Sequence, residues 1–212
     1  MRREACILST AYLPPVQWFA KLTAYRRIFI EAHEHYVKQS YRNRCLIATD
    51  HGIQPLIIPV SKAEHTPIRE TLISNHGNWQ HLHRQALISA YQNSPFFEFY
   101  ADDLLPVYSS ACTSLFDFNA SLVRKLCELL DLSPNIEYTS SYYSPDAFPA
   151  DDLRNAISPK ARPSADSSFF PAPYYQVFAR QQGFLLGLSV ADLLFNMGPE
   201  ARIILRKCNR EA

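Results

Sequence analysis

Residues 5–32 read ACILSTAYLPPVQWFAKLTAYRRIFIEA, and the way this stretch divides sets the fold class. Ala5–Thr10 is a short apolar run bounded by charge on one side and by Pro14-Pro15 on the other, which marks a strand. Proline is well tolerated in a first helical turn, so PVQWFAKLTAYR opens a helix with Val16, Phe19, Ala20 and Leu22 facing inward. RIFIEA then resembles a second buried strand, which makes the chain begin β–α–β. Two parallel strands joined this way require a right-handed crossover. The expected class is α/β, with α+β as the alternative.

Working outward, CLIATDHGIQPLIIPV (45–60) holds two apolar runs joined by Asp50-His51-Gly52, and glycine beside Asp supplies the positive φ of a tight hairpin turn. Pro55 and Pro59 lack amide donors, which places the second strand at an edge or confines each proline to a non-bonded position. A third short strand is expected over Glu70–Ser74, and another in NIEYTSSYY. From Trp79 the period changes: Trp79, Leu82, Ala86 and Ala90 recur at helical spacing up to Pro95, FFEFYADDLLPVY forms a short second helix, and Leu115, Phe118, Leu122, Leu126 and Leu129 line one face of a third. Residues 144–173, rich in Pro and Ser with one helical turn near Asp151–Ala156, are either a lid over a site or a plain surface loop. LSVADLLFNMG closes the chain with a capping-box-like Ser189/Asp192 pair and a terminating Gly198. No internal repeat or second core is evident, so residues 1–212 read as one domain.

With 47% hydrophobic residues in 212, the chain can bury a substantial core. Its 21 Lys and Arg nearly cancel 20 Asp and Glu, so no global field recruits nucleic acid or an anionic membrane. No apolar run reaches the roughly 18 residues of a membrane span, and the N-terminus does not resemble a signal peptide, so a cytoplasmic protein is expected. The five cysteines are widely spaced and read as buried hydrophobes, Cys45 beside Arg44 being the one with a cation at hand. Five glycines provide neither a P-loop nor a dinucleotide fingerprint.

The local exception to neutrality is YVKQSYRNR (36–44). Lys38, Arg42 and Arg44, with Gln39 and Asn43 adding donors, precede a strand that would fix them. In extended chain Arg42 and Arg44 point to one side, suited to gripping a phosphate or carboxylate. The alternative is a turn whose cations pair with Glu31 or Glu34. Those two glutamates could orient the arginines or act as a base. His33 and His35 invite a metal reading, but no H-E-x-x-H spacing exists and no metal site is expected. Trp79 and His83 lie one helical turn apart. They form either an aromatic platform beside an acid/base imidazole or a core tryptophan with a hydrogen-bonded histidine.

Taken together, several segments resemble the WbqC-like family, encoded among bacterial surface-polysaccharide genes. They are STAYLPPVQWF with Pro14 and Phe19, KQSYRNRCLI followed by PLIIPV, WQHLHRQALISAYQNSPFF with Trp79, His83, Tyr91, Pro95 and Phe97, and YYQVF with LSVADLLFNMG through Tyr174, Gln176, Ser189, Asp192, Asn196 and Gly198. Ser9-Thr10 stand where many members have Gln-Pro, and the Pro/Ser segment replaces a Gly-rich stretch. The resemblance implies modification of a sugar for surface glycan assembly by acyl or aminoacyl transfer to an amino sugar. His83, Glu31 and Glu34 would do the chemistry, while Lys38, Gln39, Arg42, Asn43, Arg44, Trp79, Tyr12 and Gln176 bind an activated or nucleotide-linked sugar. A non-catalytic module that binds such a sugar for a partner enzyme is the alternative. No cofactor follows from the residues or the resemblance, and neither nucleic acid nor membrane insertion is expected.

Overall fold

The computed structural model describes residues 2–61, 65–145 and 147–209. The opening stretch folds as its punctuation dictates. β1 (Arg3–Ser9) leads through Pro14-Pro15 into α1 (Val16–Ala24), and β2 (Tyr25–Glu31) returns parallel to β1 with Ile7 opposite Phe29. Two later strands complete a four-stranded parallel sheet. β7 (Ile136–Tyr138) flanks β2, and the two-residue β8 (Asp151–Asp152) flanks β1, giving the order β7-β2-β1-β8. Cys6, Ile7, Leu8 and Ser9 are all buried, as a strand covered on both faces must be.

Between β2 and β7 lie the hairpin β3 (Arg44–Thr49)/β4 (Gly52–Ile57) and the small antiparallel pair β5 (Val60–Ser61) and β6 (Leu72–Ile73). Gly52 turns the hairpin at φ 111°, a conformation that a side chain would resist. Then come α2 (Trp79–Tyr91), α3 (Phe97–Leu104) and α4 (Leu115–Leu129), and after β8 the helices α5 (Ala179–Gln182), α6 (Val190–Met197) and α7 (Ala201–Lys207). Helix α6 is tied to the start of α1 by the Val16 amide donating to the Leu188 carbonyl (3.0 Å) and the Val190 amide to the Pro14 carbonyl (2.8 Å). One continuous core joins Cys6, Leu8, Ile28 and Ile30 of the sheet to α1, α2, α4, α6 and α7. No helix among the described residues is long and apolar enough to cross a membrane.

Three expectations need correction. The buried face of α2 is Trp79, His83, Leu87, Ala90 and Tyr91, while Leu82 is 59% exposed. Helix α1 buries Val16, Phe19, Ala20 and Leu22 as expected and also Trp18, Thr23 and Lys21, whose ammonium pairs with Asp166 (2.7 Å) and donates to the Ser168 hydroxyl (2.8 Å). The turn expected near Asp151–Ala156 is present at 154–156, closed by the Ile157 amide donating to the Leu153 carbonyl (3.1 Å), and the two-residue strand β8 precedes it. Segment 144–173 is neither a lid nor a plain loop in its first half, because Phe148, Leu153 and Ile157 are buried and the Phe148 ring packs edge-on against Phe29 (5.3 Å). It is a strap that covers the second face of the sheet. Finally, Asp192 does not cap α6. Ser189 caps it alone by accepting from the Ala191 amide (3.1 Å), and the Asp192 carboxylate turns into the core.

Candidate functional site

Because β7, β2, β1 and β8 run parallel, their carboxyl ends share one edge of the sheet, and β2 and β8 lie on opposite sides of β1. In open parallel sheets the crevice outside such a switch point is where ligands bind. Here it gathers charge. Glu31 ends β2 fully buried and accepts four hydrogen bonds: from the Thr139 hydroxyl (2.7 Å), the His33 amide (2.9 Å), the Tyr143 amide (3.1 Å) and Arg154 Nη1 (3.1 Å). Arg154, just past β8, also grips Asp152 through Nη2 (2.5 Å) and Nε, and donates to the Tyr143 carbonyl (2.7 Å). These bonds raise its affinity for the proton, the Asp152 contact being the largest cause. The positive charge of Arg154 and the first half of the strap are thus fixed by the end of β2.

A second pair lies alongside. Arg42 meets Glu34 in a bidentate fork, Nε to Oε1 (2.9 Å) and Nη2 to Oε2 (2.5 Å), with both side chains 9% exposed. Ser9, at the end of β1, accepts from Arg42 Nη2 (2.8 Å) and donates to Glu34 Oε2 (3.2 Å). Arg154 feels the charge of both Glu31 and Glu34, so two guanidiniums face three carboxylates in one network. Thr10, Tyr41, Leu153 and Ile157 complete a cavity beside Arg42 of about 10 Å³, no larger than one water.

His83 belongs to a different network. Its Nδ1 lies 2.8 Å from the Tyr12 hydroxyl, which lies 2.7 Å from the Tyr108 hydroxyl, and a backbone hydrogen bond ties the imidazole to Ile57. Trp79 meets His83 edge-on at 5.3 Å, and Phe118 packs on both Trp79 and Tyr12. The neutral tautomer with its proton on Nε2 satisfies every partner: Nε2–H donates to Ile57, and Nδ1 accepts from Tyr12, which accepts from Tyr108. Burial lowers the imidazole from 6.5 to about 4, and the Ile57 bond offsets this only in part.

A family model described as the WbqC-like protein family matches residues 10–156, more than two thirds of the chain. The chain belongs to the WbqC-like family. It is also similar to the uncharacterized protein Rv1507c of Mycobacterium tuberculosis (strain ATCC 25618 / H37Rv), at 28% identity over 235 residues that cover 98% of this chain and 100% of that protein. No solved structure matches. The matched WbqC-like segment contains Glu31, Glu34, Arg42, His83 and Arg154, and Ser9 of the charged network lies one residue before it.

Arg42 and His83 have different hydrogen-bond partners and belong to separate networks. Arg42 points to Glu34 and Ser9 and sits in a turn before β3, so it does not share a strand face with Arg44. Its carbonyl, held by Asn119 Nδ2 (2.7 Å), and the Tyr12 amide bond to the Tyr41 carbonyl (2.8 Å) are what place the two networks side by side. Arg44 opens β3 opposite Ile57, with its Nε buried and without a hydrogen-bond partner. Asn43 is buried and closes the base of the hairpin, Nδ2 donating to the Ile58 carbonyl (2.8 Å). Gln176 is likewise a backbone brace, bonded both ways to Leu185 (2.9 and 2.8 Å). Lys38 and Gln39 lie on an exposed turn, Gln39 at φ 57°. Tyr12 and Trp79 are buried at 0% and 5% exposure, so neither presents a face to solvent. Ser9, Thr139, Asp152 and Arg154 escaped notice in the sequence. The Asp-Asp-Leu-Arg run at 151–154 was the available signal.

Proposed function

We propose that this WbqC-like chain is a cytoplasmic transferase of bacterial surface-polysaccharide assembly, placing an acyl or aminoacyl group on the amino group of an activated, nucleotide-linked sugar. One observation carries the proposal: Ser9, Glu31, Glu34, Arg42 and Arg154 gather at the carboxyl edge of the parallel sheet, where such folds bind ligands. Family membership adds the sugar. Within this scheme the phosphates fall to Arg44, whose buried Nε lacks a partner, with Lys38 and Gln39 on the turn above. Arg42 acts through Glu34 and positions that carboxylate. A carboxylate so held is fixed in place to accept an amine N–H.

A second proposal, a non-catalytic module that binds the sugar for a partner enzyme, is favoured by one feature. His83 is buried and neutral at pH 7, and both glutamates are tied by arginine, so none of the three is a free acid or base. The test is incubation with UDP- and dTDP-linked amino sugars and acyl-thioester or aminoacyl donors, read by mass spectrometry, beside calorimetry of sugar binding. A mass gain on the sugar supports the transferase, and binding without turnover supports the module. Arg44→Ala should weaken nucleotide-sugar binding about tenfold, the worth of one charged hydrogen bond. Absence of any binding by the parent chain counts against both.

A further inference from the structure

Away from the charged edge, a cavity of about 300 Å³ opens between α1, the base of the β3–β4 hairpin, the strap and the segment before α6. Its walls are Val16, Leu46, Phe169, Pro171, Phe184 and Leu186. Arg162 is the only ionisable charge among its lining residues apart from tyrosine and cysteine groups, and no carboxylate lines it. Arg162 is exposed and makes no ion pair among the described residues. The Tyr41 hydroxyl reaches the same space, where a Cβ placed on Gly187 would lie 3.7 Å from it, and the charge of Arg44 acts on it. At roughly 30 Å³ per water-sized group the cavity holds about ten heavy atoms. Apolar walls with a few convergent polar groups are the usual composition of a small-molecule site.

The geometry points to a binding site for a small amphipathic monocarboxylate, its apolar body of up to about seven carbons between Phe169, Phe184 and Leu186 and its carboxylate at Arg162 and Tyr41. An amine is disfavoured, because the cavity offers it a cation and no anion. The site shares Tyr41 with the small cavity beside Arg42 but is lined by none of Ser9, Glu31, Glu34, Arg42 and Arg154. Its test reads binding rather than transfer, so its failure leaves the sugar proposal to stand or fall on turnover.

The experiment is isothermal titration of the full chain with sodium octanoate below its micelle-forming concentration, with octylamine as the control. Octanoate should bind saturably at one site per chain and octylamine should not. Leu186→Trp, at a 56% exposed rim position that tolerates bulk, should abolish octanoate binding, as should Leu46→Trp from the wall. Arg162→Ala should weaken it by up to about fivefold, the limit for a solvent-exposed charge pair. Binding that survives both tryptophan variants, equal binding of octylamine, or no binding of octanoate by the parent chain would each overturn the assignment.

Discussion

Replacing His83 by Asn keeps an acceptor near the Tyr12 hydroxyl and removes a titrating group, which makes the buried imidazole measurable. Folding lowers its pKa from 6.5 to about 4, so the unfolded chain takes up the proton first as pH falls. The sign follows: stability is fully present above 6.5 and is lost as pH drops through the interval down to 4. At pH 5 the unfolded imidazole is almost wholly charged and the folded one almost wholly neutral, a difference of about 2 kcal/mol relative to pH 7. Urea unfolding at the two pH values therefore shows parent and variant diverging: with a slope of about 2.5 kcal/mol/M, the parent midpoint falls about 0.8 M further than that of His83→Asn. Carboxylates that titrate over the same range affect both proteins and cancel in the comparison. Parallel pH profiles would mean that the imidazole titrates as if in water, and would restore His83 as an acid/base candidate at neutral pH.

Asp192 should give the opposite slope. Burial pushes its carboxyl up to about 6 against hydrogen bonds from Tyr174 and Tyr91, so the folded state is relieved as pH falls and the parent gains about 1 kcal/mol over Asp192→Asn between pH 7 and pH 5 in the same assay. Arg42→Met strands the Glu34 carboxylate and should cost about 3–5 kcal/mol in urea unfolding. Adding Glu34→Leu should recover most of that, because an apolar pair replaces the ions. Gly198→Ala should destabilise by several kcal/mol, since a Cβ there would lie 2.5 Å from the Phe96 ring at φ 51°; a small change in melting temperature would show that Phe96 moves aside.

The β–α–β opening and the hairpin were legible because proline and glycine punctuate them locally: Pro14-Pro15 separate the strand from the helix that starts at Val16, and Gly52 supplies the positive φ of the turn. The helix from Trp79 was legible as a helix but not in its facing. Periodicity favoured Leu82, whereas His83 is buried one position on because Tyr12 and the Ile57 backbone satisfy it. Lys21 and Arg154 illustrate the general limit. Each is buried by a carboxylate more than a hundred residues away, Asp166 for one and Glu31 for the other, and no local pattern announces such a partner. The same limit governed the basic cluster: the pairing of Arg42 with Glu34 was one of two alternatives, but its burial follows from Ser9 arriving from β1.

The placement of β8 has a consequence for how the chain is made. β1 is central in the sheet, yet the strand that closes its second edge lies more than 140 residues downstream. At about 5–20 residues per second, ribosomal synthesis leaves that edge open for roughly 7–30 s. Throughout that interval the nascent chain presents the unpaired backbone of an apolar strand, a template for pairing with other chains. Truncations before residue 151 should therefore aggregate, and the hazard ends only when Asp152 docks and Arg154 reaches Glu31.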